Sequence, residues 1–291
     1  MTDPLQFTGE RFTPECVREI WYEHWHRYAF ARSLCVGKRV LDAACGEGYG
    51  SNLLAQVARD VVGVDLSEQA ITHARDRYGG RSNLRFEQAD ATALPELDGK
   101  FDVIVSFETL EHLEAQDELL SGFANQLADD GILLISSPDK HTYSDLAGHH
   151  NEFHVRELYR PELEALLGRH FPHTRLYGQK LLFQSALWAL DADWCQRSEA
   201  WTADQATASL IPTFGYAPLY FIAVCSRQPL PADLPGLSLF GDDEESVYSH
   251  YNHEIRQNMA AGARIAELEA EIARMRAGID EKSSHSPLTS D

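Results

Sequence analysis

Three aspartates and a run of glycines occupy positions from which they could bind one small molecule together. Asp42 lies within the first predicted strand, Asp65 ends the second and Asp90 follows the third. Residues 46–50, between the first strand and its helix, have the pattern G-x-G-x-G. Glycines at such a turn let the backbone approach a ligand where a Cβ would collide. We therefore expect these residues to form one site at the edge of a sheet.

The pattern favours a cationic nucleoside that carries an amino acid over a nicotinamide dinucleotide. A dinucleotide site has the spacing G-x-G-x-x-G, and an aspartate within the strand would repel a pyrophosphate. Asp42 suits an amino group instead, either directly or through water. Asp65 lies about 20 residues beyond the glycines, where a carboxylate can bind both ribose hydroxyls. Asp90 and Ala91 are placed to meet an adenine amino group.

A second set of polar residues follows the fourth predicted strand. Glu108, Glu111 and His112 have the spacing i, i+3 and i+4, which places side chains on one face of a helix. In one interpretation they bind, with a later histidine, a divalent metal such as Mg²⁺ that orients and acidifies a hydroxyl. In the other, the acids merely open a helix, because negative charge is favoured at a helix N-terminus.

Histidines also follow the fifth predicted strand. His149 and His150 are candidates for a general base near neutral pH, and we favour His150. The alternative is a solvated loop with ordinary hydrogen bonds. His154 and Arg156 are candidates for binding polar groups of the substrate.

The elements that carry these residues alternate between short apolar strands and helices. Such an alternation predicts an α/β fold with a doubly wound, mostly parallel sheet that is covered on both faces. The predicted strands are 38–43, 60–65, 84–89, 101–106, 131–136, 174–182 and 219–225, with helices at 51–58 and 68–78 among those between them.

The chain divides into five predicted regions. These are a helical lead-in at 1–36, the α/β domain at 37–228, a linker rich in Pro, Gly and Asp at 229–246, a helix at 247–280 and a disordered tail at 281–291. A helical, Trp-containing insertion on the substrate side is expected at 183–218. In the lead-in, Arg27 and Tyr28 either pack on the sheet edge or close over the ligand.

The C-terminal helix has apolar residues at the a and d positions of a heptad. Their spacings are 3, 4, 3 and 4, and opposite charges lie at the g and e positions, which is typical of a coiled coil. The alternative is one amphipathic helix folded back on the domain. The apolar positions are Ile265, Leu268, Ile272, Met275 and Ile279.

Composition excludes several classes of protein. The 291 residues carry 25 Lys and Arg against 45 Asp and Glu, so the formal charge of −20 argues against nucleic acid as the main partner. Five scattered cysteines without C-x-x-C spacing fit neither a disulfide framework nor a zinc site. No basic-then-apolar leader and no apolar run of ~20 residues is present. We therefore expect a cytoplasmic protein without a transmembrane segment. If it associates with the inner membrane, we expect it to do so through a partner.

The stretch from Asp42 to Gly48 reads D-x-x-C-G-x-G. With the acids after the next two strands, it resembles the class I S-adenosylmethionine (SAM) dependent methyltransferases, over roughly residues 38–137. The resemblance implies SAM as cofactor, S-adenosylhomocysteine as product, and two more strands after the fifth, the last antiparallel. It further implies the roles of the cofactor-binding residues. The methionine part of SAM would lie against Gly46 and Gly48, the ribose on Asp65, and the adenine on Asp90 and Ala91. Further candidates for the cofactor site are Asp42, Leu66 and Phe107. If the lead-in closes over SAM, either Arg27 or Tyr28 would reach the methionine carboxylate.

A narrower resemblance concerns the acceptor. The stretches FTGERF, FETLEHL and NEFHVREL resemble a bacterial methyltransferase group associated with polysaccharide and sugar modification. Glu152 replaces the group's usual Pro, and Asp139 its usual Asn. The resemblance implies methylation of a sugar hydroxyl in a glycan, glycolipid or sugar nucleotide, which could cap a polysaccharide chain. The C-terminal helix would then bind a second copy or a glycosyltransferase.

Two other functions remain open at this point. One is a methyltransferase for a small phenol, amine or carboxylate. The other is an inactive SAM-binding adaptor that assembles partners through its C-terminal helix.

Overall fold

A computed structural model describes residues 19–148, 150–187, 199–204 and 209–284. Its centre is a seven-stranded sheet, accompanied by a separate two-stranded pair. In chain order the strands are β1 Arg39–Ala43, β2 Asp60–Asp65, β3 Leu84–Gln88, β4 Phe101–Ser106, β5 Leu127–Pro138, β6 His173–Gln179, β7 Thr202–Asp204, β8 Ser209–Ile211 and β9 Tyr220–Ser226.

The sheet has the order β3-β2-β1-β4-β5-β9-β6. Neighbouring strands are parallel except β9, which is antiparallel to both β5 and β6. The doubly wound sheet and its antiparallel last strand are therefore confirmed. The strand order reverses between β1 and β4, and ligands of open α/β sheets bind at the carboxyl ends of strands beside such a reversal.

Six helices accompany these strands in the described residues. They are α1 Glu19–Leu34, α2 Tyr49–Leu54, α3 Glu68–Tyr78, α4 Gln116–Gln126, α5 Arg160–Gly168 and α6 Ser246–Ser284. The start of α3 follows from its sequence. The Ser67 hydroxyl accepts a hydrogen bond from the Ala70 amide, and Glu68 places an acid in the first turn.

Each face of the sheet carries its own apolar core. On one face Val40, Leu54 and Ile71 belong to a cluster that joins β1 to α2 and α3. On the other, Leu41 and Phe123 belong to a cluster that includes residues of α4 and α5. Neighbouring strand residues point to opposite faces, so β1 is apolar along most of its length. Burial of each such side chain contributes roughly 1.5–3 kcal/mol.

The substrate-side insertion differs from its prediction. Where the structure describes it, at 183–187, 199–204 and 209–218, it contains the antiparallel β7–β8 pair and no helix. Residues 188–198 lie outside the described residues, so the predicted helix is not found in the described part. Thr202 and Ile211 of the strand pair are β-branched, and such residues suit extended structure.

The segment predicted as a linker packs against the domain through a few apolar residues, and most of its other residues are exposed. Leu230 and Leu234 join the core beneath α1, and the Phe240 ring contacts the rings of Trp21 and His26. The first compact unit accordingly extends to Phe240, and a second unit begins at Gly241. The apolar residues between the prolines cover α1, which composition alone did not reveal.

The C-terminal helix is confirmed, with altered bounds. It runs through Ser284, so the predicted disordered tail begins too early. Residues 285–291 and the first 18 residues of the lead-in lie outside the described part of the chain. None of the helices described here is long and apolar enough to cross a membrane.

Candidate active site

The glycine loop between β1 and α2 is held by the aspartate that ends β2. Ala44, Gly46 and Gly48 adopt φ values of 60°, 56° and 90°, the left-handed region that favours glycine. The Asp65 carboxylate accepts hydrogen bonds from the Gly46 amide and the Ser67 amide, both at 2.9 Å. The predicted ribose-binding acid therefore also fixes the conformation of the loop.

Gly48 is required for packing as well as for its backbone angle. A Cβ on this residue would lie 2.8 Å from the Ala74 Cβ and 2.9 Å from the Phe86 ring. Glu47 beside it is buried and accepts hydrogen bonds from Arg77 and Tyr78 of α3. The loop is thus tied to α3 by a carboxylate that sequence reasoning did not single out.

Asp42 is fully buried beneath the loop. Its carboxylate accepts hydrogen bonds from the Tyr28 hydroxyl at 3.1 Å and the Ser51 hydroxyl at 2.6 Å. Burial raises the pKa of Asp42 to about 7, against the opposing effect of these two hydrogen bonds. The Tyr28 hydroxyl is therefore committed to Asp42, and its ring packs edge-on against Phe107 at 5.2 Å.

The predicted adenosine-binding residues come together. A cavity of about 120 Å³ is lined by Asp65, Leu66, Asp90 and Ala91, among others. Asp90 caps a short 3₁₀ turn, because its Oδ1 accepts hydrogen bonds from the Thr92 amide and hydroxyl at 2.8 and 2.7 Å. The acids after β2 and β3 thus face one cavity, as the spacing predicts.

Arg27 and Glu108 form a buried ion pair at the same edge of the sheet. Arg27 Nη1 lies 3.3 Å from Glu108 Oε1, and Arg27 Nε donates to Gln179 Oε1 at 2.8 Å. The guanidinium also lies over the Tyr220 ring, 4.4 Å from its centroid. Ser136 donates to Glu108 Oε1 at 2.7 Å. Within the described chain, neither Nη atom of Arg27 has a partner with hydrogen-bond geometry.

A larger cavity adjoins Arg27. Its volume is about 510 Å³, and its lining includes Glu23, Arg27 and Gln179 from α1 and β6. Burial is the main cause that raises the pKa of Glu23 to about 7, partly offset by the charge of Arg27. Aromatic rings form much of the remaining wall: Tyr22, Phe30, Tyr177, Phe214, Tyr216 and Phe240.

The acid and histidine residues after β4 do not share one helix face. Glu108 adopts a left-handed backbone with φ of 51°, and only Leu110–His112 forms a 3₁₀ turn. The predicted helix at Glu108 is therefore wrong, because a left-handed residue does not continue a right-handed helix. The Glu108 side chain instead contacts Arg27. Glu111 instead lies with His112 and His154, whose potential ligand atoms are all within 4.8 Å of one another.

Both histidines of this group are held through Nδ1. His112 Nδ1 lies 3.0 Å from the Phe153 carbonyl oxygen, and His154 Nδ1 contacts Glu157. His112 Nε2 lies 3.9 Å from Glu111 Oε1. Glu111 is fully buried, and neither of its carboxyl oxygens finds a hydrogen-bond partner among the described residues. Burial, followed by the charge of Glu108, raises the pKa of Glu111 well above its usual value.

The remaining predicted residues lie apart from this group. His150 is exposed, and His149 falls outside the described residues. The Arg156 side chain is exposed, while its amide donates to the Glu111 carbonyl oxygen at 2.9 Å. Sequence reasoning missed Glu23, although its spacing of four residues from Arg27 places both on one face of α1. Two further contacts of Arg27, through Gln179 and Tyr220, depend on the pairing of β6 with β9 and had no local signal.

Known proteins resemble this chain chiefly over the β1–β6 region. Residues 35–176 match the family model described as "Methyltransferase domain". A probable S-adenosylmethionine-dependent methyltransferase of Mycobacterium tuberculosis is 39% identical over 166 residues, which cover 56% of this chain and 60% of that protein. The ubiquinone biosynthesis O-methyltransferase of Sinorhizobium medicae is 30% identical over 122 residues, covering 42% and 49%. The chain thus spans 60% and 49% of the length of these two relatives, less than two thirds of either.

The fold has counterparts among solved structures. The YcgJ protein from Bacillus subtilis matches with a TM-score of 0.50 and 18% identity, over 70% of this chain and 100% of that one. At this identity the likeness concerns the fold alone. The family match, the sheet order and the acid-lined glycine loop agree with one another. Over residues 35–176 the chain is therefore similar to SAM-dependent methyltransferase domains, and its sheet has the Rossmann-like fold of that class.

Proposed function

We propose that this chain is a SAM-dependent O-methyltransferase that methylates a sugar hydroxyl in a glycan, glycolipid or sugar nucleotide. The observation that carries the proposal is the position of Arg27. It lines the aromatic cavity and pairs with Glu108, which follows β4 at the edge where the cofactor residues lie. This position supports an acceptor site in the cavity beside Arg27, next to the proposed cofactor site.

The residues present fit SAM, which when bound supplies a methyl group on a sulfonium leaving group. Asp65 would accept hydrogen bonds from the ribose, and Asp90 with Ala91 would contact the adenine. The two Nη atoms of Arg27, buried and without hydrogen-bond partners in the described chain, fit an anion such as the methionine carboxylate. Asp42, which already accepts two hydroxyl donors, would attract the amino group through water.

The large cavity suits a sugar acceptor. Ligand cavities of ≈ 300–1,000 Å³ are mostly apolar with a few placed polar groups, and this one has about 510 Å³. Aromatic rings offer flat apolar faces to the C–H face of a sugar, while Glu23 and Gln179 offer polar groups to its hydroxyls.

Activation of the acceptor hydroxyl is assigned to the residues around Glu111. A buried carboxyl without a hydrogen-bond partner calls for a bound group, and Glu111 with His112 and His154 offers the mixed N and O donors of a divalent cation site. Metal-binding histidines usually donate Nδ1 to a carbonyl or carboxylate, as the contacts of these two allow. The metal would be held by this group, in which His154 takes the place of the later histidine of the sequence prediction; Glu108, paired with Arg27, would not be a ligand.

A histidine base is the competing route for the same proton. His150 stays the predicted base, and its exposed position in the loop before His154 leaves it open to solvent. If His150 is the base, His150→Ala lowers the rate at least ~100-fold at unchanged SAM affinity. A rate within a few-fold of the unsubstituted chain contradicts the role of His150 as the base.

Chelation and direct metal binding test the cation site together. Turnover should be abolished by EDTA and restored by Mg²⁺ or Mn²⁺, and Glu111→Gln should abolish Mn²⁺ binding measured by electron paramagnetic resonance. His170→Ala is a matched control, because His170 pairs with an exposed acid, Asp117, outside the group. Full turnover in EDTA, or Mn²⁺ binding unaffected by Glu111→Gln, contradicts the cation site.

Acceptor and cofactor binding are tested by two further substitutions. Asp65→Ala should weaken SAM binding in calorimetry, since it removes the ribose ligand and the loop anchor together. Tyr216→Ala, on the cavity wall, should raise the KM for the acceptor and leave SAM affinity unchanged. An unchanged KM for the acceptor would contradict acceptor binding in this cavity. We also propose that the protein acts in the cytoplasm. It would meet its acceptor there, or at the inner membrane through a partner protein.

A further inference from the structure

The second compact unit, from Gly241, presents apolar side chains to solvent along α6. Ile265, Leu268, Ile272 and Met275, here termed the α6 stripe, are 56%, 41%, 44% and 56% exposed. Removing such apolar side chains from water is favourable, roughly in proportion to the area that is buried. Successive spacings of 3, 4 and 3 residues keep the stripe on one side of the helix. An exposed stripe of this regularity marks an interaction surface.

The pattern of residue types within the stripe favours two strands. With Ile265 and Ile272 at a positions, Leu268 falls at d, and Ile at a with Leu at d favours a parallel dimer. One heptad earlier, the a position is occupied by Asn258. A single asparagine at an a position sets register and oligomer state at some cost in stability. Three consecutive heptads therefore run from 258, about 30 Å of helix.

Charges beside the stripe are complementary to a second copy of the same helix. Arg264 and Glu271 lie at g positions, and Glu269 and Arg276 at the following e positions. In a parallel pair, each g residue faces the e residue of the next heptad on the other helix. Arg264 would then face Glu269 of the partner subunit, and Glu271 would face the partner's Arg276. Both contacts join opposite charges.

The contact that Arg264 makes within its own helix does not compete strongly. Arg264 Nη1 lies 2.9 Å from Glu267 Oε2, and the two side chains are 65% and 67% exposed. Exposed ion pairs of this kind contribute little free energy, because water screens both charges. We propose that α6 forms a parallel, in-register, two-stranded coiled coil with a second copy of this chain through the α6 stripe. This proposal does not rest on the methyltransferase activity.

Mass and cross-linking test the pairing on the full chain. Light scattering should give twice the chain mass of 32.7 kDa. Leu268→Cys and Met275→Cys, made separately, should each form an intermolecular disulfide on mild oxidation, because equivalent d positions face each other only in a parallel pair. An antiparallel pair allows at most one of them. A monomeric or trimeric mass, or cross-linking at only one position, overturns the proposal.

Charge reversal tests the partner without disturbing the apolar stripe. Arg264→Glu should weaken dimerisation about tenfold or more, because it places two acids opposite each other in both g–e contacts. Adding Glu269→Arg to the same chain should restore the unsubstituted affinity. Arg274→Glu, at a c position away from the stripe, is the matched control and should leave the affinity unchanged. Equal weakening by the control, or no restoration by the second substitution, contradicts the g–e pairing.

Discussion

Substitution of Arg27 by glutamine tests how the site is held together. Arg27 is among the largest fully buried side chains and joins α1 to Glu108, Gln179 and Tyr220. Removing one partner of a buried ion pair costs about 3–5 kcal/mol, since the other charge stays without compensation. Glu108 is 19% exposed and keeps its bond from Ser136. We therefore expect Arg27→Gln to lower the free energy of unfolding by about 3 kcal/mol, the lower end of this range.

The same substitution places two acids against each other. Arg27 lowers the pKa of Glu23 and Glu108 raises it, so without the guanidinium Glu23 should take up a proton at a higher pH. Loss of the anion-binding Nη atoms should also weaken SAM binding. Arg27→Lys keeps the charge but loses the planar fork and the Nε bond to Gln179, so its effects should be intermediate.

Urea unfolding of the full chain measures the free-energy change, and calorimetry measures SAM affinity. The matched control is Arg160→Gln, whose ion pair with Glu164 has a shorter N–O distance of 2.8 Å but side chains 64% and 45% exposed. This pair should be worth at most about 1 kcal/mol. A double-substitution cycle with Glu108→Gln isolates the pair. Equal losses for Arg27→Gln and Arg160→Gln would refute the reasoning that burial governs the strength of the pair.

Three further predictions concern the cofactor loop and the aromatic lead-in. The pKa of Asp42 is about 7 in the folded chain, above its ordinary value of 3.8, so the free energy of unfolding should fall by a few kcal/mol as pH rises between these values. Asp42→Asn should remove this pH dependence, which thermal melting from pH 4 to 8 measures. Burial and the charge of Arg27 lower the pKa of His26 to about 4. The contribution of His26 to the free energy of unfolding should therefore rise as pH rises from 4 to 6.5, and it should vanish in His26→Phe. Gly48→Ala should cost about 1–3 kcal/mol in urea unfolding by overpacking, whereas Gly80→Ala, where a Cβ meets open space, should cost far less.

The cofactor half of the site could be predicted because its signals are local. Asp65 and Asp90 each end a strand, and the carboxyl ends of parallel strands share one edge, so strand assignment alone brings both acids to one cavity. The β1 strand and the α3 helix are likewise encoded by apolar pattern and by the Ser67 cap. Neither needs information from distant parts of the chain.

The acceptor half could not be predicted because its contacts join distant segments. Glu108 pairs with Arg27, 81 positions away, only because β4 ends beneath α1. His154 approaches Glu111 through a loop whose course has no periodic signal. Phe240 covers α1 from a segment that composition marked as a linker. In each case tertiary packing decided the neighbour, and local propensity carried no information about it.

Transfer of label from methyl-labelled SAM into a fractionated extract of the source organism tests sugar methylation itself. We expect label in the polysaccharide or glycolipid fraction, as an O-methyl sugar, with an equal amount of S-adenosylhomocysteine. Asp65→Ala is the control that should abolish it. Label only in small phenols, amines or carboxylates would contradict the sugar acceptor. SAM binding without label in any fraction would contradict catalysis and favour an adaptor.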